Sequence, residues 1–414
     1  MTETVIIIGA GHAAGQAAAS LRQKGFAGRI IMVGDEAYVP YQRPPLSKAF
    51  LAGELTLERL FFKPEKFWPE HNVETRLSTR VESIDREAKT TTLSDGESLG
   101  YDKLLLATGS RARELHIPGH HLDGVHYLRT ISDVEAIRPA FKAGKRLVIV
   151  GGGYIGLEVA AISRKNGLDV TVLETESRVM KRVVATEISN FFQQMHTDEG
   201  VKLELGRRVQ EIRGNEKIEA VVCSDGFAVP ADICIIGIGI IPNTELAEAA
   251  GIKCSNGIVV DKYCQTSDPH IYAAGDCTRH HNPILGRHLR LESVHNAIEQ
   301  GKTMAASVCG EAIAYAQVPW FWSDQYDVKL QIAGLTEGYD QFVIRGDPAA
   351  RSFAAFYLQD GKLLAVDAIN SPREFMLGKK LIAAGAKFTR DELANLDLNF
   401  KSLATAALEA TSTT

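Results

Sequence analysis

The chain has 414 residues, 45% of them hydrophobic and 23% charged, with a formal net charge of −5 and a pI near 6.2. That length holds two or three domains and buries a substantial core. The acidic balance argues against a nucleic-acid or polyanion partner, and no apolar run approaches the length of a membrane span.

The first strand is expected almost at once, with no room for the charged and apolar regions of an export signal, which predicts a cytoplasmic protein. In VIIIGAGHAA an apolar run ends in Gly9 and Gly11, with Ala14 in the third glycine position. This pattern suits a buried parallel strand turning sharply into a helix whose first N–H groups face a pyrophosphate. Ala13, Ala14, Ala17, Ala18 and Leu21 recur at helical spacing and Gly25 stops the helix. The next apolar stretch, RIIMVGDE, ends in Asp35 and Glu36, about 20 residues beyond the glycines, where a carboxylate accepts hydrogen bonds from an adenosine ribose. LLLATGS, Leu104 to Ser110, closes this region as a buried strand with a tight Gly turn.

The same phrase then returns. LVIVGGGYIG carries Gly151, Gly153 and Gly156; Ile155, Val159 and Ile162 share a helical face; Gly167 ends the helix; and VTVLE ends in Glu174. One such fingerprint is weak evidence, but two with matched acidic residues point to two bound dinucleotides. This second unit looks inserted into the first and closes with IIGIGIIPN, which holds Gly237 and Gly239. DPHIYAAGDC returns to a strand ending in Gly275–Asp276, and a helix follows with Val294, Ile298, Gly301, Ala305 and Val308 on one face.

From about Pro319 the pattern changes to short β-like runs at 329–333, 341–344, 353–358 and 363–369, the last two joined by a Gln359-Asp360-Gly361 hairpin turn. Ser371-Pro372-Arg373-Glu374 has the spacing of a capping box opening a helix, and the tail ALEATSTT is expected to fray. The fold class is therefore α/β, with two nested dinucleotide-binding, Rossmann-like domains and a small α+β C-terminal domain with an antiparallel sheet. The expected boundaries are 1–115 with 246–318, 116–245, and 319–414.

The six cysteines, Cys223, Cys234, Cys254, Cys264, Cys277 and Cys309, form no CxxC pair or zinc-like spacing and read as reduced, mostly structural thiols. His120–His121 and His280–His281 lack a completing ligand and are expected in solvent-facing loops, so no metal site is predicted.

ATGS, GIGIIPN, YAAGDC and the β-rich C-terminal segment resemble the two-dinucleotide flavoprotein reductases of the glutathione-reductase superfamily. PYQRPPLSKAFL, GGGYIGLEVAA and PWFWSDQYD narrow the likeness to the NADH-dependent ferredoxin reductases of bacterial cytochrome P-450 and aromatic-ring dioxygenase systems. The resemblance covers essentially the whole chain and assigns FAD to the first fingerprint and NADH to the second. It implies FAD contacts from Gly9, Gly11, Ala13, Asp35, Lys48, Val81, Arg129, Asp276 and Val294, and puts Trp322 beside the isoalloxazine ring. The expected FAD set also takes in Ala14, Arg43, Pro45, Ala107, Thr108, Gly109 and Gly275. The NADH set is Gly151, Gly153, Ile155, Gly156, Glu174, Gly237 and Gly239.

Lys48 and Glu158 are the candidate catalytic residues, a cation in a Pro-stiffened segment and a carboxylate just past the second glycine turn. The alternatives are a solvated ion pair for these two and plain core packing for Trp322. Disulphide-reducing relatives need a CxxxxC pair in the early region, and peroxidase or oxidase relatives a single cysteine there; this chain has none before Cys223. Electrons are therefore expected to leave singly for an external acceptor, which the resemblance implies is a 2Fe-2S ferredoxin, with Lys302, and more weakly Lys379 and Lys380, as docking contacts. The competing readings are a reductase of rubredoxin or quinone, and an apoptosis-factor-like flavoprotein that senses NADH.

Overall fold

A computed structural model describes residues 3–412. The chain divides into two compact units, Met1–Gln42 with Leu57–Arg111 and Ile241–Pro319, and Arg43–Thr56 with Ala112–Ile240 and Trp320–Thr414.

In the first unit the run Val5–Ile8 is a central strand because it is apolar on both faces. Its sheet is wholly parallel, in the order Ile271–Ala273, Lys103–Leu106, Thr4–Ile8, Arg29–Val33, Val73–Arg76. Such a sheet needs cover on both sides, which is why its strands read as continuous hydrophobic stretches. Alternate residues supply two cores. Val5, Ile7, Ile30 and Met32 pack with Leu21 and Met304 of helices His12–Gln23 and Val294–Val308. Ile6, Ile8, Ile31 and Leu106 pack with Val81, Leu93 and Leu99 of a three-stranded antiparallel sheet. The two helices approach closely, for a Cβ on Gly301 would lie 2.8 Å from the Ala13 carbonyl oxygen.

The second unit repeats the arrangement. Its parallel sheet runs Lys202–Leu205, Asp169–Glu174, Arg146–Val150, Ile233–Ile236, Val125–Tyr127, with helix Tyr154–Lys165 following the central strand. In both sheets the fingerprint strand is third of five. Chain connections leave it toward opposite sides, which opens the crevice where ligands of such sheets bind. The same unit carries a five-stranded antiparallel sheet in the order Trp320–Gln325, Val328–Gly334, Lys362–Ile369, Ser352–Gln359, Gln341–Asp347. Asp360 and Gly361, both at positive φ, make the expected tight turn, and helix Pro372–Ala384 packs on the sheet.

Four expectations are corrected. PWFWSDQYD, which is not among the expected β-like runs, holds the first strand of the antiparallel sheet, Trp320–Gln325, hidden from period-2 reading by three consecutive aromatics. Ser371 does cap its helix positionally, with Pro372 at N1, yet its side chain makes no capping bond; at φ −125°, ψ 66° it lies off the extended backbone of a capping residue. The tail is helical over Phe400–Ser412, although Thr413 and Thr414 lie outside the described residues. His280 is in no solvent-facing loop: it sits on strand Thr278–Asn282, 1% exposed, its Nδ1 paired with the Gln300 amide at 3.1 Å. Burial lowers its imidazole pKa to about 4. His281, its neighbour, is exposed and faces His288 across a hairpin.

Candidate functional site

The two glycine turns are near copies. Gly9 and Gly151 hold φ of +115° and +112°, and a Cβ on either would strike the carbonyl oxygen of Ala107 at 2.2 Å or of Gly237 at 2.4 Å. No other residue type fits there. Gly11 and Gly153 are the N-caps of the following helices, make no side-chain cap, and face space with nothing within 4 Å of an added Cβ. Each turn therefore presents uncapped helical N–H groups to an open cradle, which fits a pyrophosphate.

Around the first cradle the structure gathers Ala13, Ala14, Ala107, Thr108, Gly109, Gly275 and Asp276, while Val294 opens the helix whose Ala297 Cβ lies 3.8 Å from a Cβ added at Gly275. Gly275 lies against Ala13, with 3.3 Å between an added Cβ and the Ala13 Cβ. Asp276 is tied by the Ser110 hydroxyl, which donates to Oδ2 at 2.8 Å, and Thr108 Oγ1 donates to the Asn243 carbonyl at 2.7 Å. Val81 is buried in the sheet core and Asp35 is exposed.

Register separates the two acidic residues. Val33 pairs with Ile8 as Leu173 pairs with Val150, so the position matching Glu174 is Gly34, where a Cβ would be 2.6 Å from that of Ala10. Asp35 stands one residue later, outside the strand. Glu174 ends its own strand and its carboxylate is held at the turn, accepting from Gly152 N–H at 2.6 Å and Glu176 N–H at 2.8 Å. Arg178, a nearby cation, is committed to the carbonyls of Val184 and Lys181 and to the Ser189 hydroxyl. Ile155, in the first turn of its helix, is 44% exposed, and Gly239 has φ +107°.

In the second unit, helix Tyr154–Lys165 carries Glu158 on its buried face, 2% exposed. Lys48, just past the short 3-10 helix Pro44–Ser47, donates to Glu158 Oε2 at 2.6 Å, and Ser47 donates to the same oxygen at 2.5 Å. The other oxygen accepts from Ser323 Oγ at 2.7 Å. With side-chain exposures of 20% for Lys48 and 1% for Glu158, this is a buried ion pair and not a solvated one. Arg43 is fixed by donating to the Arg129 carbonyl at 2.7 Å, while Trp322 is half-buried beside Trp320, ring centroids 5.5 Å apart. Sequence reasoning missed Ser47 and Ser323; the only signal was that each lies inside a motif singled out for another residue.

Residues 3–301 match the pyridine nucleotide-disulphide oxidoreductase family. The chain belongs to that family. Residues 320–404 match a second description, reductase C-terminal. Putidaredoxin reductase of Pseudomonas putida is 44% identical over 92% of this chain and 92% of its own length. A ferredoxin–NAD(P)+ reductase of Sphingomonas sp. is 44% identical over 93% of this chain and 95% of that protein. Among solved structures, the covalent putidaredoxin reductase–putidaredoxin complex is similar with a TM-score of 0.95 and 42% identity, covering 98% of this chain and 99% of that one.

For a family named after disulphide chemistry, the thiols here are placed unusually. Cys223, Cys234, Cys264 and Cys277 are buried and Cys254 and Cys309 half-buried, none bonded to another. Burial pushes every one of these thiols up, Cys254 to about 11 and Cys234 to about 12. The Cys277 thiol, next to Asp276, points into the core toward the Ala274 carbonyl. None has the depressed pKa and access of a redox thiol. Among the described residues no group of three or more His, Cys, Asp or Glu is arranged to hold a metal ion, and no helix is long and apolar enough to cross a membrane.

Proposed function

We propose that the chain is an FAD-dependent NADH:ferredoxin reductase that feeds a cytochrome P-450 or aromatic-ring oxygenase through a 2Fe-2S ferredoxin. The observation that carries this reading is the pair of matched glycine cradles in a chain without an accessible low-pKa thiol. Bound FAD supplies the hydride acceptance and one-electron release that no side chain here provides. The names and lengths of the relatives support the same acceptor class. We assign FAD to residues 1–115 and 246–318, NADH to 116–245 and an interface role to 319–414.

Gly9, Gly11, Ala13 and Ala14 cradle the FAD pyrophosphate, Asp35 takes its ribose, and Asp276, oriented by Ser110, holds the flavin end with the first turn of helix Val294–Val308. Gly151, Gly153, Ile155 and Gly156 cradle NADH, and Glu174, already oriented by two backbone N–H groups, takes the adenosine ribose. Lys48 and Glu158, the latter held by Ser47 and Ser323, orient the nicotinamide. The protein works in the cytoplasm, in keeping with its unpaired cysteines.

Lys302, Lys379 and Lys380 are the proposed ferredoxin contacts. Lys302 shares its charge with Glu299 at 2.7 Å, Lys379 lies over the Trp320 ring at 5.2 Å, and Lys380 is exposed. The test is NADH-driven reduction of a panel of 2Fe-2S ferredoxins, a rubredoxin and a quinone. Ferredoxin is expected to give the highest kcat/KM, and Lys302→Glu to raise the ferredoxin KM while ferricyanide turnover holds. Preference for rubredoxin or quinone overturns the acceptor, and slow turnover with all three favours an NADH sensor.

A further inference from the structure

We propose that Ser323, Gln325 and His196 are positioning residues for Glu158, a buried line of hydrogen bonds that fixes its carboxylate toward Lys48. The inference rests on the reading of Lys48 and Glu158 as the nicotinamide-side pair. Ser323 Oγ donates to Glu158 Oε1 at 2.7 Å. Gln325 Nε2 donates to Ser323 Oγ at 3.1 Å, and Gln325 Oε1 accepts from His196 Nε2 at 2.8 Å. The directions follow from the partners. With its lone pairs engaged by the Gln325 amide, the Ser323 hydroxyl has its single proton left for the carboxylate, and a histidine facing an amide oxygen must carry its proton on Nε2. His196 Nδ1 is then the acceptor facing the Tyr326 hydroxyl at 3.4 Å.

Every donor in the line points at Glu158. Its two oxygens are thereby divided: Oε2 holds Lys48 and Ser47, and Oε1 is tied to strand Trp320–Gln325 and, beyond it, to helix Thr186–Asp198. The two-residue spacing of Ser323 and Gln325 puts both on one face of the strand, where Phe321 packs on Tyr154 at 4.7 Å between ring centroids. Ser323, Gln325 and His196 are all fully buried beside the apolar cluster of Leu157, Phe192, Met195 and Leu330. Three polar side chains there cost stability unless each is satisfied, and an apolar trio would fill the space without that requirement. Burial also lowers the His196 pKa to about 4, so it stays neutral and puts no second cation near the carboxylate.

The experiment uses the FAD-loaded enzyme and compares Ser323→Ala, Gln325→Glu and Ser323→Thr, each also on a Glu158→Gln background. Gln325→Glu is nearly isosteric but replaces a donor by an acceptor, so it draws the Ser323 proton away from Glu158. Ser323→Ala and Gln325→Glu are expected to slow flavin reduction by NADH about tenfold, the scale of one lost charge-assisted hydrogen bond, with NAD+ affinity by calorimetry unchanged. Ser323→Thr, which keeps the hydroxyl, restores the rate, and neither loss adds to that of Glu158→Gln. Nitrogen NMR of labelled histidine gives a readout independent of turnover: His196 is expected as the neutral Nε2–H tautomer from pH 6 to 8, and Gln325→Glu to raise its titration. A normal rate in both variants while Glu158→Gln is slow overturns the inference alone, as do additive losses. A normal rate in Glu158→Gln overturns the reading beneath it as well.

Discussion

Gly156→Ala separates the two glycine turns. A Cβ at Gly156 would lie 2.1 Å from the Gly151 carbonyl oxygen, 0.9 Å inside the 3.0 Å below which real Cβ contacts essentially do not fall. Backbone lies on both sides of that contact, so helix Tyr154–Lys165 must lift from the turn or the turn must open. Forced overpacking of this kind costs about 1–3 kcal/mol, equivalent to roughly 5- to 150-fold in a binding constant. The displaced helix carries Ile155 and Glu158, so the loss is expected in NADH use: a KM for NADH raised at least about fivefold, and NAD+ binding by calorimetry weakened in step. FAD content is expected to stay stoichiometric, since the first fingerprint already carries Ala14 at the matching place, buried at 0%. An unchanged NADH KM and NAD+ affinity would refute the argument, because it would mean the close approach of helix to turn is not used.

NADH is expected to exceed NADPH in kcat/KM by about a hundredfold, since the oriented Glu174 carboxylate suits a free ribose hydroxyl and repels a 2′-phosphate. Glu174→Ala should erase most of the gap, whereas Arg178→Ala should mainly lower the melting temperature because that guanidinium is spent on carbonyls; equal efficiency with both nucleotides in the parent enzyme would sink this. Asp367 is fully buried, with Oδ1 unpaired and Oδ2 accepting from Tyr357, and burial raises its pKa from 3.8 to about 7. A raised carboxyl contributes stability that is complete below its unfolded pKa and lost as pH rises through about 7, at most ~4 kcal/mol. Asp367→Asn should therefore gain stability over the parent between pH 5 and pH 8 in denaturant melts, and parallel pH profiles would contradict it. Iodoacetamide treatment of the native enzyme and Cys277→Ser should both leave NADH-to-ferricyanide turnover intact; lost turnover with FAD still bound would place a thiol on the electron path.

Much of the architecture is legible in the chain because it is local. Val5–Ile8 and Leu147–Val150 are apolar throughout, as doubly covered strands are, and the glycines after them mark positions where a Cβ would meet the backbone of the turn or of the neighbouring strand. Helix stops at Gly25 and Gly167, at φ of +80° and +81°, and the Asp360–Gly361 turn follow from the same backbone rule. What depended on distant partners was not legible. The run Trp320–Trp322 conceals a strand because its burial against a helix more than 150 residues earlier decides its state. His280 looked like a surface residue beside an equally polar neighbour, and only Gln300 and the surrounding core make it an interior one. Glu158 shows the division most clearly: sequence supplied a carboxylate past a glycine turn and Lys48 as its partner, but Ser47 and Ser323 reach it unannounced from segments 111 and 165 residues away. Spacing along a chain specifies backbone conformation; which side chains share one buried carboxylate is set by the tertiary structure, where desolvation leaves such a group with the partners the fold provides.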